Sequence, residues 1–219
     1  MRSWLASGWV LRHGLGHMLR SVDYSHSLLR EHLFRGDVAI DATAGNGHDT
    51  HFLAQLTGSD GKVYAFDVQA AAIESTRRLL ERWGVPPESV QLVHGGHEAM
   101  ESAIAPEHQG QVGAVIFNLG YLPGSDKTVV TLPGTTLAAM EAALRLLRPG
   151  GIVIAVLYTG HAGGQEEADA VRSFAAALPG DSYHAVEYRT LNTKASAPSV
   201  LVMEKLGMGE GPWEPEYVI

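Results

Sequence analysis

Val38-Ala39-Ile40-Asp41-Ala42-Thr43-Ala44-Gly45-Asn46-Gly47-His48-Asp49 is the stretch that decides the fold. A short apolar run enters a glycine-rich turn, and helical spacing follows through His51, Phe52, Leu53 and Leu56. This is a strand, a tight turn and a helix in succession. The alternation continues downstream. Strands are expected at 62–67, 90–94, 112–118, 152–158, 183–191 and 200–205, and helices at 70–83, 137–147 and 166–178. Continuously apolar strands separated by helices indicate a parallel sheet covered on both faces. The last two strands have no helical signal between them and read as an antiparallel hairpin at one edge. The expected fold is therefore α/β: a doubly wound, mostly parallel seven-stranded sheet of Rossmann-like type with a C-terminal hairpin.

Length and composition set the frame around that stretch. The 219 residues correspond to one domain at roughly 100–200 residues per domain. A cleaner amphipathic segment starts at Met18, so the expectation is an extension over 1–17, the domain over 18–206 and a mobile Gly- and Pro-rich tail over 207–219. The absence of cysteine excludes a disulfide scaffold, a thiol nucleophile and a Cys-ligated zinc. No run reaches the roughly 18 apolar residues of a membrane span, and a cytoplasmic location is expected. A net charge of −8 argues against coating nucleic acid through a global positive field. The charge is uneven, however. Residues 1–35 carry five arginines against Asp23 and Glu31, which leaves either a solvated helix face or a docking patch for a polyanion.

In a doubly wound sheet, ligands sit beyond the carboxyl ends of the strands, where the strand order reverses, and the first turn lies there. Gly45 and Gly47 permit close backbone approach and positive φ. A dinucleotide fingerprint fits poorly, because its third glycine would fall at Thr50 and Asp49 would compete with a pyrophosphate for the helix amides. Asp67 ends the second strand, 22 residues after Gly45. It is placed either to accept both hydroxyls of a ribose or to cap a helix. The two features favour an adenosine-containing ligand without a pyrophosphate. The acidic pair Asp41 and Asp49 suits a cationic one such as S-adenosylmethionine. Gly96 and His97, after the third strand, could flank an adenine. His94, His97 and His161 lack matching carboxylates at ligand spacing, so no metal is expected.

The fourth strand ends in Asn118-Leu119-Gly120-Tyr121. An amide oxygen there can accept a hydrogen bond from an attacking amine, and an aromatic can stack on a planar base; a plain turn with a buried Tyr is the alternative. Lys127 lies among hydroxyls in the following loop and suits phosphate contact. His161, in a glycine-rich turn after the fifth strand, is a candidate acid/base group.

Four ordered motifs then carry a resemblance: D-A-T-A-G-N-G-H-D-T (41–50), F-D-V-Q (66–69), F-N-L-G-Y-L-P-G-S-D-K (117–127) and Y-T-G-H-A-G-G-Q-E-E (158–167). Over about residues 20–205 the chain resembles the MnmM family of class I S-adenosylmethionine-dependent methyltransferases. The resemblance implies methylation of the amine of 5-aminomethyl-2-thiouridine at the tRNA wobble position, giving 5-methylaminomethyl-2-thiouridine. It implies cofactor contacts from Asp41, Ala44, Gly45, Asn46, Gly47, Asp49, Asp67, Gln69, Gly96 and His97. Catalysis would fall to Asn118, Tyr121, Asp126 and His161, and the anticodon loop would meet Arg20, Arg30, Lys127 and Lys194. The chain departs from the family pattern at Ser125, Thr159, Ala162 and over 191–194, all outside the cofactor motifs. A homodimer is compatible with this picture, as are an rRNA or small-amine acceptor and a non-catalytic adenosine- or NAD-binding module.

Overall fold

A computed structural model describes residues 19–120, 131–192 and 197–207. The chain runs α1 (Ser21–His32), β1 (Val38–Asp41), α2 (His48–Thr57), β2 (Lys62–Asp67), α3 (Ala70–Arg82), β3 (Val90–His94), α4 (Met100–Ala103), β4 (Val112–Leu119), α5 (Pro133–Leu146), β5 (Leu147–Leu157), α6 (Gly164–Ala176), β6 (Tyr183–Tyr188) and β7 (Ser199–Lys205). The extension 1–17, the tail beyond Gly207, and Tyr121, Asp126, Lys127 and Lys194 lie outside the described residues.

The seven strands form one sheet in the order β3-β2-β1-β4-β5-β7-β6. β1 to β5 pair in parallel, and β7 is antiparallel to both β5 and β6. The order turns outward in both directions from the β1–β4 pair, and that reversal opens a crevice at the carboxyl ends of these two strands. The doubly wound expectation and its antiparallel edge hold.

Why the strands read as apolar throughout is plain from their two faces. Ala39, Ala114, Ile116 and Ile154 pack with Leu29 of α1, Leu53 of α2 and Leu80 of α3. Their alternating neighbours Ile40, Val115, Phe117 and Val153 pack on the opposite face with Met100, Met140 and Val171 from α4, α5 and α6. Each such large side chain contributes roughly 1.5–3 kcal/mol on burial, so a one-residue slip of register is strongly disfavoured.

The boundaries differ from expectation where sequence punctuation was ambiguous. α5 starts at Pro133, four residues early, because Pro at the first helical position needs no donor and presets the helical φ. β5 starts at Leu147, which pairs with Val112 ahead of an irregularity between Val112 and Ala114 that accommodates Pro149-Gly150-Gly151. β6 stops at Tyr188, opposite Val200, where its partner strand is about to begin. The crossover from β3 to β4 consists of single turns, at His97–Ala99, Met100–Ala103 and Pro106–His108.

Candidate active site

A cleft of about 820 Å³ opens at the carboxyl ends of β1, β2 and β4. Its first wall is the β1–α2 turn, through Ala44, Gly45 and Asn46. Gly45 and Gly47 both have positive φ, at 55° and 83°. Gly47 has a further constraint: a Cβ there would lie 2.8 Å from the Thr76 Cα of α3. The turn is thus pressed flat against α3, and the Thr76 hydroxyl donates to the Gly45 carbonyl (3.2 Å).

Asp67 at the tip of β2 forms the second wall. It accepts the Gly45 amide on one oxygen (2.9 Å) and the Gln69 amide on the other (2.8 Å). These bonds fix the carboxylate while leaving each oxygen a second lone pair for a ligand. Gln69 and the exposed Val68 continue this wall, and Gly96 and His97 face them from the segment after β3. His97 is buried against Phe117, its ring 5.6 Å away edge-on. Nδ1 donates to the Ala42 carbonyl (3.3 Å), and burial holds the imidazole below its ordinary pKa. His97 therefore stands as a neutral ring that shapes the cleft.

On the third side, Asn118 at the end of β4 donates through Nδ2 to Asp49 (2.8 Å). A carboxylate accepts only from the NH₂ end, so this contact fixes which way the amide faces and leaves Oδ1 as an acceptor. The Asn118 backbone N–H donates to the Thr43 hydroxyl (2.7 Å). His161 lines the same side and donates from Nδ1 to the Ala162 carbonyl (2.9 Å).

Two of the expected cofactor residues do not reach the cleft. Asp41 is fully buried behind the turn, bonded to the Thr50 hydroxyl (2.6 Å) and the Thr43 amide (3.1 Å). Burial first, and then the nearby Asp49, push its pKa up to about 7. Gly47 is the residue before α2, not a lining residue. Asp49 does line the cleft, yet its oxygens are engaged by Asn118 and by His26 (2.7 Å). Burial opposes its ionisation, but those hydrogen bonds prevail and keep its pKa below the ordinary carboxylate range. Arg20 and Arg30 lie away from the cleft: Arg20 pairs with Asp23, and Arg30 sits over the Phe52 ring at 4.8 Å.

Sequence reasoning missed His26, Thr131 and Glu167. His26 lines the cleft from α1, outside every motif, and only the folded chain brings it near Asp49. Glu167, the last residue of the 158–167 motif, is buried and accepts from the Thr131 and Thr136 hydroxyls (2.6 Å each). Thr131 also donates its backbone N–H to the Gly120 carbonyl (3.1 Å), and both residues line the cleft.

The charge of the walls separates the ligand classes. Asp49, Asp67 and Glu98 line the cleft, and no Lys or Arg does so among the described residues. A pyrophosphate would meet carboxylates there, whereas a sulfonium and an ammonium are attracted. Among the described residues no cluster of metal-ligating side chains occurs, and no helix is long and apolar enough to cross a membrane.

The comparisons with known proteins agree with this geometry. A family model described as "Putative rRNA methylase" matches residues 63–204. The tRNA (mnm(5)s(2)U34)-methyltransferase, chloroplastic, of Arabidopsis thaliana is 39% identical over 193 residues, spanning 85% of this chain and 69% of that protein. The chain belongs to this rRNA methylase family. A Clostridium thermocellum structure under nearly the same description superposes with a TM-score of 0.83 at 35% identity, covering 87% of this chain and all of that one. A Streptococcus mutans methyltransferase structure in complex with SAH gives 0.77 at 37% identity, with the same coverage. The protein is thus an S-adenosylmethionine-dependent methyltransferase of class I fold, and the donor fits the acidic, glycine-floored cleft just described. Within the methyltransferase, Asp41 and Gly47 support the glycine-rich turn from behind.

Proposed function

We propose that this methyltransferase acts on tRNA, converting 5-aminomethyl-2-thiouridine at the wobble position to 5-methylaminomethyl-2-thiouridine. The observation that carries the proposal is the Asn118 amide, held by Asp49 with its oxygen left as an acceptor at the strand tip beside the donor cleft. The name of the Arabidopsis relative supports the same acceptor.

When bound, S-adenosylmethionine supplies an electrophilic methyl carbon on a sulfonium, with a neutral thioether as leaving group. Asp67 would hold the ribose hydroxyls, and Gly96 and His97 would border the adenine. Asn118 Oδ1 accepts an N–H of the incoming amine and so directs the nitrogen lone pair at the methyl carbon. Alignment of this kind supplies roughly 7–11 kcal/mol in favourable cases. The amine attacks only when neutral, and desolvation in the cleft lowers its pKa. His161 and Asp126 are the groups we assign to take the proton released by the product ammonium. The anticodon loop docks with its wobble base splayed into the cleft, a mode that needs fewer phosphate contacts than coating a duplex. Arg20, Arg30, Lys127 and Lys194 make those contacts in the cytoplasm.

The test is transfer of label from S-adenosylmethionine to tRNA bearing the aminomethyl group, followed by nucleoside analysis. Label in 5-methylaminomethyl-2-thiouridine is expected. Label in rRNA instead, or on a small amine after ribonuclease treatment of the substrate, overturns the tRNA acceptor. Asn118→Ala is expected to lower kcat about a hundredfold, as loss of a group that orients the nucleophile does, while SAH affinity stays unchanged.

A further inference from the structure

The cleft is reached by a hydrogen-bonded chain that starts on a helix outside the doubly wound core. His26 lies in the middle of α1, the helix that precedes β1 and packs on β4, β5 and β7. Its Nε2 is 2.7 Å from Asp49 Oδ1, and both side chains are mostly buried, at 22% and 17% exposure. The other Asp49 oxygen takes the Asn118 amide hydrogen. Since a carboxylate only accepts here, Nε2 carries the proton and donates whether the imidazole is neutral or charged. The His26 ring is clamped flat on Phe52, 4.0 Å between centroids and 9° from parallel, which fixes the direction of its donor. Asp49 sits in the first turn of α2, and its charge helps to keep the buried Asp41 protonated. A partly buried carboxylate in that position needs a partner on each oxygen to hold one rotamer.

We propose that His26 is a positioning residue for methyl transfer: it locks Asp49, which in turn locks the Asn118 amide with its oxygen toward the acceptor amine. This deepens the proposed function and rests on Asn118 as the amine-facing group. Supporting groups of this kind change activity by roughly ten- to hundredfold when removed in comparable sites. They act on kcat, since the donor's adenosine end lies on the far wall, at Asp67.

Two substitutions separate the hydrogen bond from the packing. His26→Phe keeps the ring stacked on Phe52 and removes the donor; His26→Gln places an N–H near the Nε2 position and removes the ring. The expected result is a kcat at least about tenfold lower for His26→Phe, largely restored in His26→Gln, with SAH affinity by calorimetry unchanged in both. In an Asn118→Ala background, His26→Phe is expected to have no further effect, because the two act through one contact. The side-chain amide signals of Asn118, one of three asparagines and identified by their loss in Asn118→Asp, report the chain without any turnover. They are expected to move in His26→Phe and return in His26→Gln. Unmoved signals, an unaltered kcat in His26→Phe, or equal impairment of both variants would overturn the positioning role. A parent protein inactive on aminomethyl-tRNA would sink the acceptor assignment instead, and the amide signals would then decide the chain by themselves.

Discussion

Three aspartates in the glycine-rich turn and at the tip of β2 show how one residue type takes different work from its surroundings. Asp67 keeps spare lone pairs on the cleft, so it is the one whose loss is expected to weaken ligand binding. Replacing it by Ala removes charge-assisted bonds worth about 1.5–3 kcal/mol, which corresponds to a roughly ten- to hundredfold rise in the SAH dissociation constant by calorimetry. Equal affinity would remove Asp67 from the ribose. Asp41 behaves oppositely. The folded chain keeps its proton up to about pH 7, whereas an unfolded chain loses it near pH 4. The stability Asp41 contributes is therefore complete below about pH 4 and declines as pH rises towards 7. Asp41→Asn cannot ionise, so its melting temperature relative to the parent is expected to be more favourable at pH 8 than at pH 5. The same offset at both pH values would contradict a raised pKa. Asp49 stays charged because His26 and Asn118 hold it so, and its loss belongs with the kcat effects above.

At the scale of elements, the junction between α2 and α3 has little tolerance. Gly47 precedes α2 in the left-handed region, and any Cβ there would collide with the Thr76 backbone. Gly47→Ala is expected to cost more than about 1 kcal/mol, through a φ that L-residues avoid and a clash that moves α3. A lower urea midpoint with an unchanged slope would show it; an unchanged midpoint would mean the turn relaxes freely. The helix boundaries teach a related lesson. Pro133 is the first residue of α5, and Thr136 of that helix, with Thr131 just before it, donates to the buried Glu167 of α6. Likewise β6 looks strand-like to residue 191 but ends with its pairing, since a strand extends only as far as a partner supplies hydrogen bonds.

For the whole molecule, the net charge of −8 sets the terms on which an RNA can approach. Arg20, the residue before α1, and Arg30 on it lie apart from the donor cleft, so charge reversal at both is expected to raise KM for tRNA and to flatten its salt dependence, with SAH affinity unchanged. An unchanged KM would remove α1 from the docking surface. The sequence alone determined the strand and helix succession, the parallel sheet with its antiparallel edge, and the turns at 43–46, 67–69, 96–97 and 118 that line the cleft. These follow from local periodicity and from glycine and acidic residues at strand ends, which act over a few bonds. Tertiary structure decided the rest. It turned Asp41 inward, made Gly47 a spacer against α3, buried Glu167, and carried His26 of α1 to within hydrogen-bonding distance of Asp49, 23 residues away in the chain. No local pattern encodes such contacts, because which side chains meet across the sheet is settled only when both faces are packed and a buried charge must find its partner.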